Sequence, residues 1–172
     1  MLTTDQKGAI AEAAIALAAI ELGIGVAKPL APQRYDFVFD VEDALLRIQC
    51  KWACRQGDAL VVRCYSCRRT AVGLTRRVYD GADVDAFAAY CADLGRCYLL
   101  PFGEVPPGGT LQLRLARTRN NQSRGVRWAS SYEFAATLGR QQGAIAQLGE
   151  RRHGMAEVTG SSPVGSITDP SP

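Results

Sequence analysis

Arg34-Tyr35-Asp36-Phe37-Val38-Phe39-Asp40, followed by Leu46-Arg47-Ile48-Gln49-Cys50-Lys51-Trp52, is the stretch that decides the fold. Aromatic and β-branched residues fill both runs, and Glu42-Asp43 between them suits a hairpin turn. A turn centred between Glu42 and Asp43 sets Asp36 directly across from Gln49, with Cβ atoms roughly 4.5–5.5 Å apart. Lys51 then shares a face with Gln49, because side chains alternate along a strand. A carboxylate, an amide oxygen and an ammonium converge on one patch, which is the equipment of a metal site with a water-activating lysine. A loop one residue longer or shorter would put Asp36 and Gln49 on opposite faces, leaving two ordinary strands with scattered polar residues.

Upstream, residues 4–22 read as an Ala-rich helix with Ile10, Ala14 and Leu17 on one stripe. Thr3, Thr4 or Asp5 can cap its start, and Gly23 and Gly25 end it. Glu12 lies inside this helix. Its neighbours three and four residues away are Gly8, Ala9, Ile15 and Ala16, so it has no cation for an i,i+4 pair. Its carboxylate is either simply solvated or aimed at something.

The order Glu12, Tyr35-Asp36, then Gln49-Cys50-Lys51-Trp52-Ala53 resembles the PD-(D/E)XK nuclease superfamily. It is most similar to the branch of group I intron homing endonucleases, in which glutamine replaces the acid of the D/E-x-K motif. The likeness runs on through Tyr79, Asp83 to Tyr90, Tyr98-Leu99-Leu100-Pro101, Leu113-Arg114-Leu115 and Asn120-Asn121-Gln122, covering residues 4–136. Tyr35 stands where the superfamily has its proline, a departure usual in this branch.

The resemblance implies an α/β, restriction-endonuclease-like αβββαβ core with a central mixed sheet flanked by helices. It implies a metal-dependent DNA endonuclease of homing type, linked to a mobile element. The alternatives are a junction-resolving or restriction-like nuclease, and a catalytically silent DNA-binding module of the same fold. Asp36, Gln49, the carbonyl of Cys50 and Glu12 are the implied metal ligands, and Glu12, Asp36, Gln49 and Lys51 the implied catalytic set. Mg²⁺, or Mn²⁺ in its place, is the implied cofactor, since a hard cation takes oxygen ligands. The expected partner is double-stranded DNA, with a homodimer or homotetramer to cut both strands.

Composition agrees with a globular chain: 172 residues, 47% hydrophobic and 22% charged, with a net charge of only +3. Its basic residues are clustered. Arg68, Arg69, Arg76 and Arg77 flank one segment, and Arg114, Arg117, Arg119, Arg124 and Arg127 crowd another around Asn120. Arginine with asparagine can supply both phosphate and base-edge contacts, so Arg68, Arg69, Arg76, Arg77, Arg117, Arg119 and Asn120 are the candidate DNA-binding residues.

No stretch is apolar for the length of a membrane span, and the N-terminus lacks a secretory pattern, so a cytoplasmic location is expected. Cys50, Cys54, Cys64 and Cys67 could surround zinc, but they lie along expected strands rather than on tight knuckles.

The expected elements are helix 4–22, strands 26–28, 34–41, 45–53 and 59–66, helix 83–93, strands 97–101 and 111–116, and a short helix 131–138. Residues 1–140 read as the endonuclease-like domain and 141–172 as a disordered tail rich in Gly, Ser and Pro. Ala146-Gln147-Leu148-Gly149-Glu150 back-translates as a tRNA D-arm and Gly160-Ser161-Ser162-Pro163 as a T-arm. His153-Gly154-Met155 back-translates as an alanine anticodon loop. The tail is therefore expected to be a translated tRNA gene.

Overall fold

Thr3 starts the chain's first element by a reciprocal cap. Its hydroxyl accepts from the backbone N–H of Gln6 at 3.2 Å, and the Gln6 side chain accepts from the Thr3 N–H at 2.9 Å. The helix that follows, α1 (Thr4–Glu21), ends as Gly23 takes a left-handed φ of 76°. The computed structural model describes residues 1–71, 73–117 and 124–137, without the side chains of Arg68 and Arg69. The expected tail and its proposed origin lie outside the described residues.

Strand β1 (Gly25–Ala27) pairs antiparallel with β2 (Phe37–Val41), and β2 with β3 (Ala44–Gln56). The β2–β3 register runs from Phe37 opposite Ile48 to Val41 opposite Ala44. The turn is therefore Glu42-Asp43 as expected, and Glu42 adopts a left-handed φ of 54°. One step beyond the last rung, Asp36 faces Gln49, with the Asp36 N–H donating to the Ile48 carbonyl at 2.8 Å. The far end of β3 turns back into β4 (Ala59–Arg63), which pairs with β9 (Thr110–Arg114).

Between them come β5 (Tyr65–Thr70) and β6 (Gly73–Val78), an antiparallel ribbon separate from the main sheet. Then β7 (Ala86–Cys91) lies parallel to β3 across Ile48 to Trp52, and β8 (Arg96–Pro101) pairs antiparallel with β7. The result is a seven-stranded mixed sheet.

The helix expected at 83–93 is instead strand β7. Ala86 and Ala88 face α1, while Phe87 and Ala89 pack into a second core on the opposite side. A strand buried on both faces reads as one apolar run, which periodicity cannot separate from a helix turn, and alanines favour the helix. Two acids fix the strand in place. Asp85 accepts from the Arg47 backbone N–H at 2.7 Å and its guanidinium at 2.8 Å, and Asp83 pairs with Arg34 at 2.8 Å rather than capping a helix.

The stripe expected to bury α1 is turned outward. Ile10 and Leu17 are exposed, and Ala11, Ile15 and Ala19 meet the sheet. These mostly small residues let the helix lie close on Phe37, Phe39, Ile48 and Leu99, with Phe134 packed edge-on to Phe39. On the other face Leu60, Leu100, Leu111 and Leu113 are fully buried, each stabilising the fold by about 1.5–3 kcal/mol. The expected strand 59–66 divides at Cys64 into β4 and β5, and the last short helix begins as a single 3₁₀ turn at Ala129–Tyr132.

Candidate active site

Asp36 stands at the mouth of β2, where the strand's ladder with β3 stops. Its carboxylate extends that ladder, accepting from the Cys50 backbone N–H at 2.7 Å. A residue's N–H and C=O leave a strand on the same edge, so the Cys50 carbonyl also points to this open margin of β3. Between the two oxygens lies the Gln49 amide, whose Nε2 donates to Asp36 and is 3.4 Å from the Cys50 carbonyl. The structure brings Asp36 together with Gln49, as the hairpin register predicts, and with the Cys50 carbonyl that the resemblance implies, but it turns the amide nitrogen rather than the oxygen toward Asp36.

Lys51 lies two residues on, half-buried on the face it shares with Gln49. Its ammonium donates to the Tyr65 carbonyl at 3.3 Å and to the Tyr79 hydroxyl at 3.4 Å. Burial lowers the Lys51 pKa below the usual lysine value, and the nearby Asp36 charge opposes that shift. Asp36 is pushed the other way: burial raises its pKa, the Cys50 N–H lowers it, and Glu12 adds repulsion. Each charge is therefore held in a setting that disfavours it, as at sites built to act on a ligand.

Glu12 reaches this margin from α1, on the other face of the sheet. It has a cation after all, because Lys28, just past β1, pairs with it at 2.8 Å. This partner comes from another element, beyond the reach of i,i+4 spacing. The Lys28 charge also stabilises ionised Asp36, so one ammonium serves both carboxylates.

Two further residues complete the site. Tyr79 donates to the Gln49 Oε1 at 3.1 Å. Arg34 stacks over the Tyr79 ring at 4.2 Å and donates to the Val78 carbonyl at 2.9 Å. Gln33, Arg34, Gln49, Ser66, Arg77 and Tyr79 line an open cavity of about 240 Å³ beside the site. Arg34 adjoins Tyr35-Asp36 in sequence and could have been suspected there. Tyr79 belongs to the family likeness, which gives it no role, and Lys28 carries no local signal.

The donors suit a hard divalent cation. They are the Asp36 carboxylate, the Cys50 carbonyl and the Gln49 amide, whose oxygen faces Tyr79 in this structure, while burial pushes the Cys50 thiol far up and holds it protonated. Among the described residues no three His, Cys, Asp or Glu side chains gather as a metal cluster. The zinc arrangement of Cys50, Cys54, Cys64 and Cys67 is thus not formed, and burial pushes the Cys64 thiol up to about 12.

Of the expected DNA-binding residues, Arg68, Arg69, Arg76 and Arg77 lie on the β5–β6 ribbon, where β6 is exposed throughout. Arg76 stacks on Tyr65 at 3.7 Å and donates to the Gly108 carbonyl, and Arg77 lines the cavity. Arg117 is exposed beyond β9. Arg119 and Asn120 lie outside the described residues.

No curated protein matches the chain. The solved structure of a bacterial homing endonuclease, I-Ssp6803I, does: it is 31% identical, with a TM-score of 0.67 over 85% of this chain and 99% of that one. The family model for PD-(D/E)XK endonucleases matches residues 2–135. The sheet topology and the expected motif order agree with that match, and the chain belongs to the PD-(D/E)XK endonuclease family, with its restriction-endonuclease-like fold.

Proposed function

We propose that this nuclease is a Mg²⁺-dependent, homing-type endonuclease that hydrolyses phosphodiester bonds in double-stranded DNA. One observation carries the reading: Asp36, Gln49 and the Cys50 carbonyl meet at an open strand margin, with Lys51 on the same face. Asp36, the Gln49 amide oxygen and the Cys50 carbonyl would hold the cation, and Glu12 would hold it directly or through a water. A bound divalent cation supplies Lewis acidity and a lowered water pKa. Lys51 orients the attacking water by hydrogen bonding and offsets negative charge growing on the phosphate. Tyr65 and Tyr79 hold its ammonium for that task.

The ribbon supports the choice of duplex DNA. Strands β5 and β6 stand apart from the main sheet and carry Arg68, Arg69, Arg76 and Arg77. A major groove about 12 Å wide admits such a two-stranded ribbon. The likeness to a bacterial homing endonuclease supports the homing type and a link to a mobile element. Cutting both strands with one site per chain would require a homodimer or homotetramer. Action on DNA in a bacterial cell would place the protein in the cytoplasm.

Incubation with supercoiled plasmid tests the reading. Nicked and linear products with Mg²⁺, and none with EDTA, are expected. Binding without cleavage in Mg²⁺ or Mn²⁺ would instead indicate a silent DNA-binding module. Cleavage of branched junctions in preference to any linear duplex would favour junction resolution.

A further inference from the structure

Glutamine poses a problem at a ligand position that a carboxylate does not. A carboxylate presents oxygen whichever way it turns, whereas an amide presents oxygen at one end and an N–H₂ donor at the other. In this structure the nitrogen faces Asp36 and the oxygen faces Tyr79. Serving a cation beside Asp36 requires the reverse.

The hydrogen bonds run in one direction. The Lys51 ammonium can only donate, and it lies 3.4 Å from the Tyr79 hydroxyl, which therefore accepts. The Tyr79 O–H is left to donate to Gln49 Oε1 at 3.1 Å, and Gln49 Nε2 donates to Asp36. The chain thus leads from a cation to an anion, each link polarising the next.

The tyrosine ring is held on several sides. Arg34 covers it at 4.2 Å, Phe87 meets it edge-on at 5.3 Å, and the Lys51 Nζ lies 4.9 Å from its centroid. Arg34 is anchored in turn by Asp83 at 2.8 Å. A hydroxyl can both donate and accept, so a fixed phenol can partner either end of the amide.

We propose that Tyr79 is a positioning residue for the Gln49 amide, held so that its hydroxyl partners the end turned away from Asp36 in either orientation. It donates to Oε1 while the amide nitrogen occupies the Asp36 side. It accepts from Nε2 once Oε1 turns toward a divalent cation. Tyr79 thereby does for the Gln-x-Lys version of the motif what a glutamate would make unnecessary. This inference rests on the metal-site reading above.

The test is Mn²⁺ binding by calorimetry on full-length chains without DNA, in four forms: the natural chain, Tyr79→Phe, Gln49→Glu and the double variant. Phenylalanine keeps the ring contacts with Phe87 and Arg34, and the melting temperature without metal reports whether packing survives. In Tyr79→Phe the metal-free amide keeps its Asp36 bond and its Oε1 still faces the Lys51 side, whereas Nε2 turned that way has no acceptor, so Mn²⁺ binding weakens by about 3- to 10-fold in the Gln49 background. In the Gln49→Glu background the same change is expected to be less than about 2-fold, because no amide needs orienting. Equal losses in both backgrounds, or no loss with Gln49, would overturn the role of Tyr79 while leaving the metal site standing. Absence of Mn²⁺ binding by both tyrosine-bearing chains would overturn the metal site, and this inference with it.

Discussion

The Asp36 carboxylate and the Cys50 backbone N–H, 2.7 Å apart, form the hydrogen bond that continues the β2–β3 ladder past its last strand rung. A side chain has replaced backbone where the β2–β3 ladder ends. The consequence is a carboxylate fixed by the sheet itself, with the Cys50 carbonyl beside it.

That placement has a stability cost. The Asp36 pKa is raised above its ordinary 3.8, chiefly by burial. Its contribution to stability is full below pH 3.8 and is lost as the pH rises through the raised folded value. Asp36→Asn keeps an acceptor for the Cys50 N–H and removes the charge. The metal-free variant is expected to melt higher than the natural chain at pH 7, with the gap closing toward pH 3.8. Thermal melts across this range check it. Added Mg²⁺ should narrow the gap at pH 7 by stabilising only the natural chain.

Lys51 behaves in the opposite sense. Burial lowers its pKa below 10.5, so the charged form costs stability at neutral pH, and the cost fades as the pH rises through the lowered value toward 10.5. Lys51→Met should therefore raise the melting temperature at pH 7 and lose that advantage by about pH 10.5. In the natural chain, cleavage that needs the ammonium should decline at a lower pH than an ordinary lysine would impose. A pH–rate profile at saturating Mg²⁺ measures it.

Gln49→Glu restores a charged ligand at the metal position. The variant is expected to fold, to keep cutting, and to reach half-maximal rate at roughly tenfold lower Mg²⁺, equivalent to about 1.4 kcal/mol. Titration of cleavage rate against Mg²⁺ gives the answer.

The hairpin and its residues were legible in the sequence because a two-residue turn fixes register, and register fixes the facing of Asp36, Gln49 and Lys51. Strand β7 was not. Its apolar residues point to both cores, which erases the alternation that marks a half-buried strand. The β5–β6 ribbon was hidden for the converse reason. It has little buried face, so Arg76-Arg77 and Leu74-Thr75 follow no period, and only the arginines marked the segment. The pairs Lys28–Glu12 and Arg34–Asp83 join residues far apart in the chain, and no local pattern announces them.

The ribbon's role is read from salt dependence. Arg77→Ala and Arg76→Ala should each weaken duplex binding and reduce the slope of log affinity against log salt by about 0.9, if each meets one phosphate. Arg76 also stacks on Tyr65, so its loss should affect the ribbon's melting as well. Fluorescence anisotropy with duplex DNA at several salt concentrations distinguishes the two arginines.

The central claim is that Asp36 and Lys51 act on the transition state and contribute little to holding DNA. Nicking of supercoiled plasmid in Mg²⁺ by Asp36→Ala and Lys51→Ala, with duplex affinity measured on the same samples, tests it most directly. A loss of at least about 10²–10³-fold in cleavage rate is expected for each variant, with affinity nearly unchanged. Nicking at the natural rate by either variant would contradict it.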